Sequence, residues 1–340
     1  MNDNVKKIEL GAPGVARALE KRIAEAIDSY CQTAYDDGHR NHLGASLIGG
    51  DCRRKLFYIF RWVKHHIHSG RMQRLFNRGH REEERFIEWL EGIGFKVWFE
   101  NREGFYYHGG SETYGILQPG EELRLDCDLI TEDNEYYRTH VGMAKAQGLK
   151  FPQYRVSDVM GHFGGSLDGI AILPPEWGIE EPVLVEFKTN GTGSSFNKLV
   201  EKGMAKAKPQ HYAQTGVYGY KYNFRYCVYL NICKNDDNLH VEVVELNHTL
   251  GQQMIQKADG IIRSQTPPPK ISLVADSYEC SQCEFAGVCH RGEPVEINCR
   301  SCQHAEPIEG AKWRCNLYPD NGPIPKDVIV IGCNMHKAIE

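Results

Sequence analysis

Two carboxylates and a lysine at the ends of apolar runs form the strongest chemical pattern in the sequence. Asp168 lies in GGSLDG, and Glu186 and Lys188 lie in VEFK. Alternation along a strand places Glu186 and Lys188 on the same face. Carboxylates can hold a hard divalent cation, and an ammonium can stand beside an attacking water and a phosphate. A Glu-x-Lys pair alone is usually solvent-exposed charge, but the preceding aspartate within apolar strands points to phosphodiester hydrolysis.

Hydrophobic periodicity predicts the elements that position these groups. We predict helices over residues 14 to 35, 74 to 92 and 249 to 263, and another centred on QHYAQTGVYGYKY. Ser46 is a candidate cap for a helix that runs into RRKLFYIF. Residues 103 to 165 are weakly patterned and predict strand pieces and loops. Strands are predicted for FKVWFE, SLDGIAIL, PVLVEFKT, FRYCVYLNICK and LHVEVVEL.

The formal net charge of −5 argues against a protein that coats nucleic acid through bulk electrostatics. Contact with DNA must then come from local basic patches. One candidate is the Arg61 to Arg81 segment, and the other is the lysine set Lys198, Lys202 and Lys206. The lysines are four residues apart, so one helix face would present them together. A solvated helix face is the alternative for each patch. We also consider base stacking on Phe105, Tyr106 and Tyr107.

The cysteine distribution indicates metal binding. Of the twelve cysteines, seven fall between Cys280 and Cys333, where two CxxC pairs occur. In a reducing compartment such clustering indicates metal more often than disulfides. The remaining cysteines outside the proposed sites lie in apolar surroundings and are predicted core residues: Cys31, Cys127, Cys227 and Cys233.

Residues 42 to 290 resemble the RecB-like branch of the PD-(D/E)xK nucleases. In that family a helix with a Gly-His motif precedes a strand aspartate, an E-x-K strand and a Q-x-x-x-Y helix. The matching positions are Arg78-Gly79-His80 with Glu83, then Asp168, Glu186 and Lys188, then Gln214 and Tyr218. The resemblance implies an α/β fold with a central mixed sheet flanked by helices, as in restriction endonucleases.

The same resemblance implies a role for each matched residue. His80, Asp168 and Glu186 would bind Mg²⁺ or Mn²⁺, with the backbone carbonyl of Phe187 as a further ligand. Lys188 would position or activate the water and stabilise charge on the phosphate. The Q-x-x-x-Y pair, Gln214 and Tyr218, would contact the DNA backbone or orient that lysine. Glu83 could serve a second metal, whereas His162 and His211 are read as accessory or structural.

A [4Fe-4S] cluster is the predicted cofactor of the first cysteine set. Cys280-x2-Cys283-x5-Cys289 supplies three thiolates, and Cys52 is the candidate fourth. This arrangement resembles the iron-sulfur nucleases of CRISPR adaptation and of AddB-type helicase-nucleases, in which one cysteine precedes the nuclease core and three follow it. The cluster would be structural, holding the two ends of the domain together. Zinc on the same four thiolates is the alternative.

A second cysteine set beyond residue 290 predicts a zinc site. The spacing Cys299-x2-Cys302-x12-Cys315-x17-Cys333 fits a four-cysteine, zinc-ribbon-like segment. His304 and His336 are possible substitute ligands. The segment has too little apolar mass for a core of its own, so a zinc ion would fold it. Contact with DNA or a partner and a purely structural cap both remain open as its use.

These features together predict a metal-dependent DNA exonuclease that acts in end resection, recombination or phage DNA metabolism. Rival functions are a CRISPR-adaptation-type nuclease that trims prespacers and a non-catalytic DNA-binding or assembly subunit. The predicted partners are DNA ends and a recombination or replication protein, with no membrane. We expect a cytoplasmic location, in the host if the gene is phage-borne. The predicted segments are a helical one (1–41), the nuclease domain (42–290) and the zinc-ribbon-like end (291–340).

Overall fold

A computed structural model describes residues 14–118, 120–191 and 193–339, and shows a mixed α/β protein. No helix within these ranges is long and apolar enough to cross a membrane. The helices are α1 Val15–Ala34, α2 Ala45–Ile48, α3 Arg53–Phe60, α4 Gly70–Gly92, α5 Tyr137–Ala146, α6 Gly193–Ala207, α7 Pro209–Tyr222, α8 His248–Ile262, α9 Ala286–Arg291 and α10 Lys326–Ile331. The strands are β1 Leu43–Gly44, β2 Lys96–Trp98, β3 Phe105–His108, β4 Thr113–Ile116, β5 Cys127–Leu129, β6 Arg155–Asp158, β7 Phe163–Ser166, β8 Gly169–Ile172, β9 Val183–Asn190, β10 Tyr226–Cys233, β11 Leu239–Glu245, β12 Ala305–Ile308 and β13 Lys312–Cys315.

The chain divides into two compact units, each built from separate segments. The first, which we call the cysteine unit, groups residues 14–86, 158–163 and 255–339. The second, which we call the sheet unit, groups residues 87–157 and 164–254. The predicted boundaries at residues 41/42 and 290/291 stay predictions, and residues 1–13 of the predicted first segment lie outside the described ranges.

A five-stranded sheet in the order β11-β10-β9-β8-β2 forms the centre of the sheet unit. The pairing of β9 with β10 is parallel, and the other pairs are antiparallel. The apolar runs VLVEF and CVYLNIC account for the two central strands, whose residues are almost all buried. The strands predicted from the sequence are therefore confirmed for β2, β8, β9, β10 and β11.

A smaller sheet in the order β4-β3-β5 also belongs to the sheet unit, and helix α5 packs beside it. Their shared core contains Phe105, Ile130, Val141, Ala144 and Phe151. The strands were expected in this region, but the prediction that it contains only strand pieces and loops is wrong for α5. This helix is short and contains a central glycine, so its sequence has little helical periodicity.

The cysteine unit consists mainly of helices, with the short strand β1 and a two-stranded hairpin. Helix α1 confirms the helix predicted over residues 14 to 35. Ser46 does not cap a helix, because it lies inside α2, whose N-cap is Gly44. Cys52 caps the following helix α3, and its sulfur accepts the Lys55 amide at 3.4 Å. Strands β12 and β13 pair antiparallel near the end of the chain.

Candidate active site and cysteine sites

The aspartate, glutamate and lysine of the predicted trio lie together in the sheet unit. Asp168 immediately precedes β8, and the other two lie in the neighbouring strand β9. The backbone N–H of Phe187 donates to Asp168 Oδ2 at 2.7 Å, which holds this carboxylate against β9. Lys188 Nζ lies 3.9 Å from the same oxygen and donates a hydrogen bond to Glu186 Oε1. Two carboxylates and one ammonium therefore converge where the sequence predicts them.

The electrostatics of this trio keep the lysine charged. The Glu186 side chain is fully buried, and those of Asp168 and Lys188 are 16% and 24% exposed. Burial lowers the pKa of Lys188, but the Glu186 and Asp168 carboxylates outweigh it and raise that pKa above its ordinary value. The ammonium can therefore neutralise negative charge and donate hydrogen bonds, but in this arrangement it cannot accept a proton.

Helix α7 supplies two further groups of the predicted site. Gln214 and Tyr218 are buried one helical turn apart, and Gln214 Nε2 donates to Tyr218 Oη at 3.3 Å. Burial, reinforced by the charge of Glu186, raises the pKa of Tyr218 well above its ordinary value. The phenol stays protonated at neutral pH and remains a hydrogen-bond donor beside the carboxylates.

Strand β10 adds polar residues that sequence reasoning did not select. Tyr229 pairs in register with Glu186, and Asn231 pairs with Lys188. Asn231 Nδ2 donates to Tyr229 Oη at 3.1 Å, and His211 Nδ1 lies 2.9 Å from that hydroxyl. Burial, with the nearby positive charge of Lys188, lowers the pKa of His211 to about 3. The signal available in the sequence was the asparagine inside the apolar run YCVYLNIC.

Lys208, between α6 and α7, is a second cation beside this site that the sequence analysis missed. Its Nζ donates to Ser195 Oγ at 2.6 Å and to Asn190 Oδ1 at 3.2 Å. Asn190 ends β9, so this ammonium lies at the end of the strand that carries the catalytic candidates. Partial burial lowers the pKa of Lys208.

His80 lies on α4, in the cysteine unit. Its side chain is 74% exposed, and its Nδ1 lies 3.3 Å from Glu83 Oε1. The predicted roles of His80 as a metal ligand and of Glu83 as a ligand of a second metal stay predictions.

The lysines Lys198, Lys202 and Lys206 are all exposed on α6, as DNA contact would require. The expectation of one continuous helix face is wrong, because Gly203 interrupts the helix with φ 72° and ψ 168°. Only the first two lysines share an unbroken face. The side chain of Glu242 accepts the Met204 amide directly after the break, at 2.7 Å, which fixes the new direction of the chain.

Two other predictions of DNA contact are each wrong for one residue. Phe105 is fully buried in the core of the smaller sheet, so no base can stack on it. Arg61 is fully buried as well, and its Nη2 donates to the Cys302 carbonyl at 2.6 Å. Both residues were predicted to be exposed because the neighbouring sequence does not show which distant segments bury them.

The first cysteine set surrounds one cavity in the cysteine unit. Cys52, Cys280, Cys283 and Cys289 all line it, together with Tyr58, Phe285 and Ala286. The Cys280-x2-Cys283 turn is closed by a hydrogen bond from the Cys283 amide to the Cys280 carbonyl, at 3.0 Å. Lys55 and Glu284 form an ion pair at 2.8 Å beside it. Four cysteines that line one cavity provide the donor set that a cubane cluster uses.

The second cysteine set surrounds another cavity of the same unit. Its lining includes Cys299, Cys302, Cys315 and Cys333, together with His304 and His336. Burial, with the three other sulfurs, raises the pKa of Cys299 to about 11. The Lys337 amide donates to Cys302 Sγ at 3.4 Å. This donor set suits zinc. Of the two histidines, His336 also lies 2.9 Å from Ser301 Oγ.

Two buried arginines join the second cysteine segment to α3. Arg300 donates to the carbonyls of Phe60 and Asn41, reciprocating the bond from Arg61 to Cys302. The Trp313 ring lies 4.8 Å from the Arg300 guanidinium and 5.2 Å from the other one. The end of α3 and the second cysteine segment therefore share one core.

His162 and the four predicted core cysteines are buried inside the protein. His162 is fully buried, and its Nε2 lies 3.0 Å from the carbonyls of Ile308 and Lys312, which places it in the core behind β12 and β13. The predicted core cysteines are confirmed as buried: Cys31, Cys127, Cys227 and Cys233.

Comparison with known proteins shows weak similarities only. No family description matches the chain, and no curated protein matches it. The crystal structure of SSO0001 is similar with 12% identity and a TM-score of 0.39, covering 80% of this chain and 97% of that one. The alkaline exonuclease LHK-Exo from Laribacter hongkongensis is similar with 12% identity and a TM-score of 0.33, covering 66% and 87%. The structure of LHK-Exo in complex with dAMP is similar with 12% identity and a TM-score of 0.34, and the match covers 65% of this chain and 86% of that one. Similarities at this level establish no family membership.

Proposed function

We propose that this chain is a metal-dependent DNA nuclease with a PD-(D/E)xK-type centre. The convergence of Asp168, Glu186 and Lys188 on adjacent strands carries the proposal, with 3.9 Å between the ammonium and the Asp168 carboxylate. Burying two carboxylates is costly unless cations compensate their charge, and one lysine compensates one of them. A divalent cation would balance the remaining charge of such a site.

The donor chemistry fits Mg²⁺ or Mn²⁺, which prefer oxygen ligands. Asp168 and Glu186 would hold the ion, and the Phe187 carbonyl is the further proposed ligand. A bound ion would supply Lewis acidity and lower the pKa of a coordinated water. Asp168 is already held in place by the Phe187 amide, so it needs little reorganisation to serve.

The surrounding side chains would act on the phosphate. Lys188 stays protonated and would stabilise negative charge as it develops. Tyr218 keeps its proton and would donate a hydrogen bond, oriented by Gln214. Lys208 would bind a neighbouring phosphate, since its ammonium is held by neutral oxygens of Ser195 and Asn190.

The proposed substrate is DNA, cleaved from its ends, with Lys198, Lys202 and Lys206 as backbone contacts. We propose a [4Fe-4S] cluster at Cys52, Cys280, Cys283 and Cys289, supported by the cavity that these four residues line. Zinc at Cys299, Cys302, Cys315 and Cys333 is proposed on the same ground. End resection with a recombination or replication partner is the proposed role, and prespacer trimming is the catalytic alternative.

Cleavage assays on end-labelled linear and on circular DNA with Mg²⁺ or Mn²⁺ test the proposal. Asp168→Asn and Glu186→Gln should each lower the cleavage rate at least about a hundredfold while leaving the unfolding midpoint near that of the wild type. Lys188→Met should lower the rate as far, but it should also lower the unfolding midpoint, because it leaves the buried Glu186 carboxylate without its ammonium partner. Asp128→Asn, which changes an exposed carboxylate of the same unit, is the control and should cut normally. Wild-type protein that cuts in EDTA, or fails to cut with either metal, would contradict the proposal. In the latter case the alternative of a non-catalytic DNA-binding or assembly subunit would gain support.

A further inference from the structure

A cavity of about 350 Å³ in the sheet unit has the size of a small-molecule site. It lies between the segment from Val97 to Gly104, the segment from Leu129 to Glu132, and the rings of Tyr137 and Tyr154. None of its lining residues belongs to the candidate active site. Its chemistry therefore requires an explanation of its own.

Aromatic rings form much of the cavity wall. Trp98, Phe99, Tyr137 and Tyr154 all line it. The Trp98 indole N–H donates to Glu132 Oε1 at 2.8 Å, which fixes the orientation of the ring. Aromatic faces carry negative electrostatic potential and attract cations, most strongly in Trp and Tyr.

The charged residues of the lining also favour a cation as the ligand. Three carboxylates, those of Glu100, Glu103 and Glu132, line the cavity. The Arg102 guanidinium in the lining and the Lys145 ammonium beside Glu100 balance two of these charges, which leaves one negative charge in excess. The excess negative charge repels phosphate and attracts cations. Burial, together with the Glu132 carboxylate, raises the pKa of Tyr154, so this ring presents a neutral phenol to the cavity.

The protein's own cations already bind here in the expected manner. Lys145 Nζ lies 2.9 Å from Glu100 Oε1 and 5.6 Å from the Phe99 ring centre. Arg102 donates to the same carboxylate at 2.8 Å and lies 5.8 Å from the Tyr137 ring centre. Each cation is thus held by a carboxylate and a ring together.

We propose that the cavity binds an organic ammonium cation between Trp98, Tyr154 and Glu132. These three side chains repeat the pairing of rings with a carboxylate that already holds Lys145 and Arg102. The ligand is an alkylammonium group, supplied by a free polyamine or by a lysine side chain of a partner protein. A nucleobase would also stack on these rings, but the phosphates attached to it would lie against the carboxylates.

Isothermal titration of the full-length protein distinguishes these ligands, using spermidine, N-acetyl-lysine amide and adenosine at about 0.15 M salt, where surface charge is screened. Spermidine, the lysine amide or both should bind saturably with one site. Tighter binding of spermidine identifies a free polyamine, and tighter binding of the lysine amide identifies a partner side chain. Saturable binding of adenosine alone would overturn the proposal in favour of a nucleobase site.

Four variants locate the binding. Glu132→Gln keeps an acceptor for Trp98 but removes the charge, so affinity should fall about tenfold, equivalent to about 1.4 kcal/mol. Tyr154→Leu should weaken binding comparably, whereas Tyr154→Phe keeps the ring and should stay within about twofold. Glu181→Gln, at an exposed carboxylate elsewhere in the unit, is the matched control. Equal affinities for Glu132→Gln and the wild type, at unchanged unfolding midpoints, would overturn the proposal, as would an equal loss in the control.

Discussion

Replacing Trp313 by alanine tests whether the second cysteine segment and α3 share one core. The Trp313 side chain is 2% exposed and belongs to β13. Its ring contacts Phe60 and His162, with centroid distances of 5.3 Å and 5.4 Å. It also lies against the guanidinium groups of Arg61 and Arg300. Alanine would remove the surface that all four groups share.

We expect Trp313→Ala to lower the free energy of unfolding strongly, because several contributions add. Burying an aromatic side chain removes about 200 Å² from water, which at about 25 cal/mol per Å² corresponds to about 5 kcal/mol. Measured Trp→Ala changes in cores cost about 3–5 kcal/mol, because the cavity partly collapses. Two cation–π contacts are lost as well, at about 0.5–2 kcal/mol each. We expect a loss of about 4–6 kcal/mol, which approaches the whole stability of a typical domain.

Urea unfolding of the purified variant, with iron and zinc measured on the same sample, provides the assay. Trp313→Ala should lose zinc and iron together, because Arg61 ends the helix that begins at Cys52. Trp177→Ala is the matched control. That ring is 50% exposed, and its loss should cost at most about 1 kcal/mol. A Trp313→Ala protein that loses under about 1 kcal/mol, or that retains full iron after losing zinc, would refute the shared core.

Three further predictions follow from single side chains. Burial, with the charge of Arg300, lowers the pKa of His162 from 6.5 to about 4, so the unfolded state gains its proton first and stability falls as pH drops from about 6.5 to 4. His162→Gln should reduce that acid-induced loss by about 3 kcal/mol in urea titrations at pH 7 and pH 4, and an unchanged loss would place the titration elsewhere. Lys208→Met should weaken DNA binding severalfold in anisotropy titrations and flatten its salt dependence by about one unit, whereas Lys150→Met should change neither. Cys52→Ser should yield colourless protein without iron, whereas Cys127→Ser should keep its iron; a brown Cys52→Ser protein would exclude this residue as a ligand.

Local patterns predicted the features that depend on near neighbours in sequence. Alternation in VEFK placed Glu186 and Lys188 on one face, and the apolar runs predicted β9 and β10. Asp168 was identified as a candidate metal ligand because it lies in the Gly-rich segment GGSLDG, next to an apolar strand. Gln214 and Tyr218 were predicted four residues apart on one helix, and their side chains form a hydrogen bond there.

The failures depend on contacts that are distant in sequence. Arg61 looked like surface charge because its acceptor, the Cys302 carbonyl, lies 241 residues further along the chain. Phe105 was assigned to stacking because a short strand next to tyrosines does not show which face a helix will cover. The three lysines of α6 were predicted to share one helix face from their spacing alone, although the positive φ of Gly203 redirects the chain between them.

The segmented layout of the cysteine unit affects how the protein is made on the ribosome. Lys55 and Glu284, which form an ion pair in that unit, are 229 residues apart. At about 5–20 residues per second, roughly 10–50 s pass between the synthesis of the first partner and that of the second. During that interval the sheet unit is synthesised, and α3 and the Cys52 thiol lack the partners that the later part of the chain supplies. The early segment is therefore the part most exposed to chaperones, oxidants and aggregation in the nascent chain.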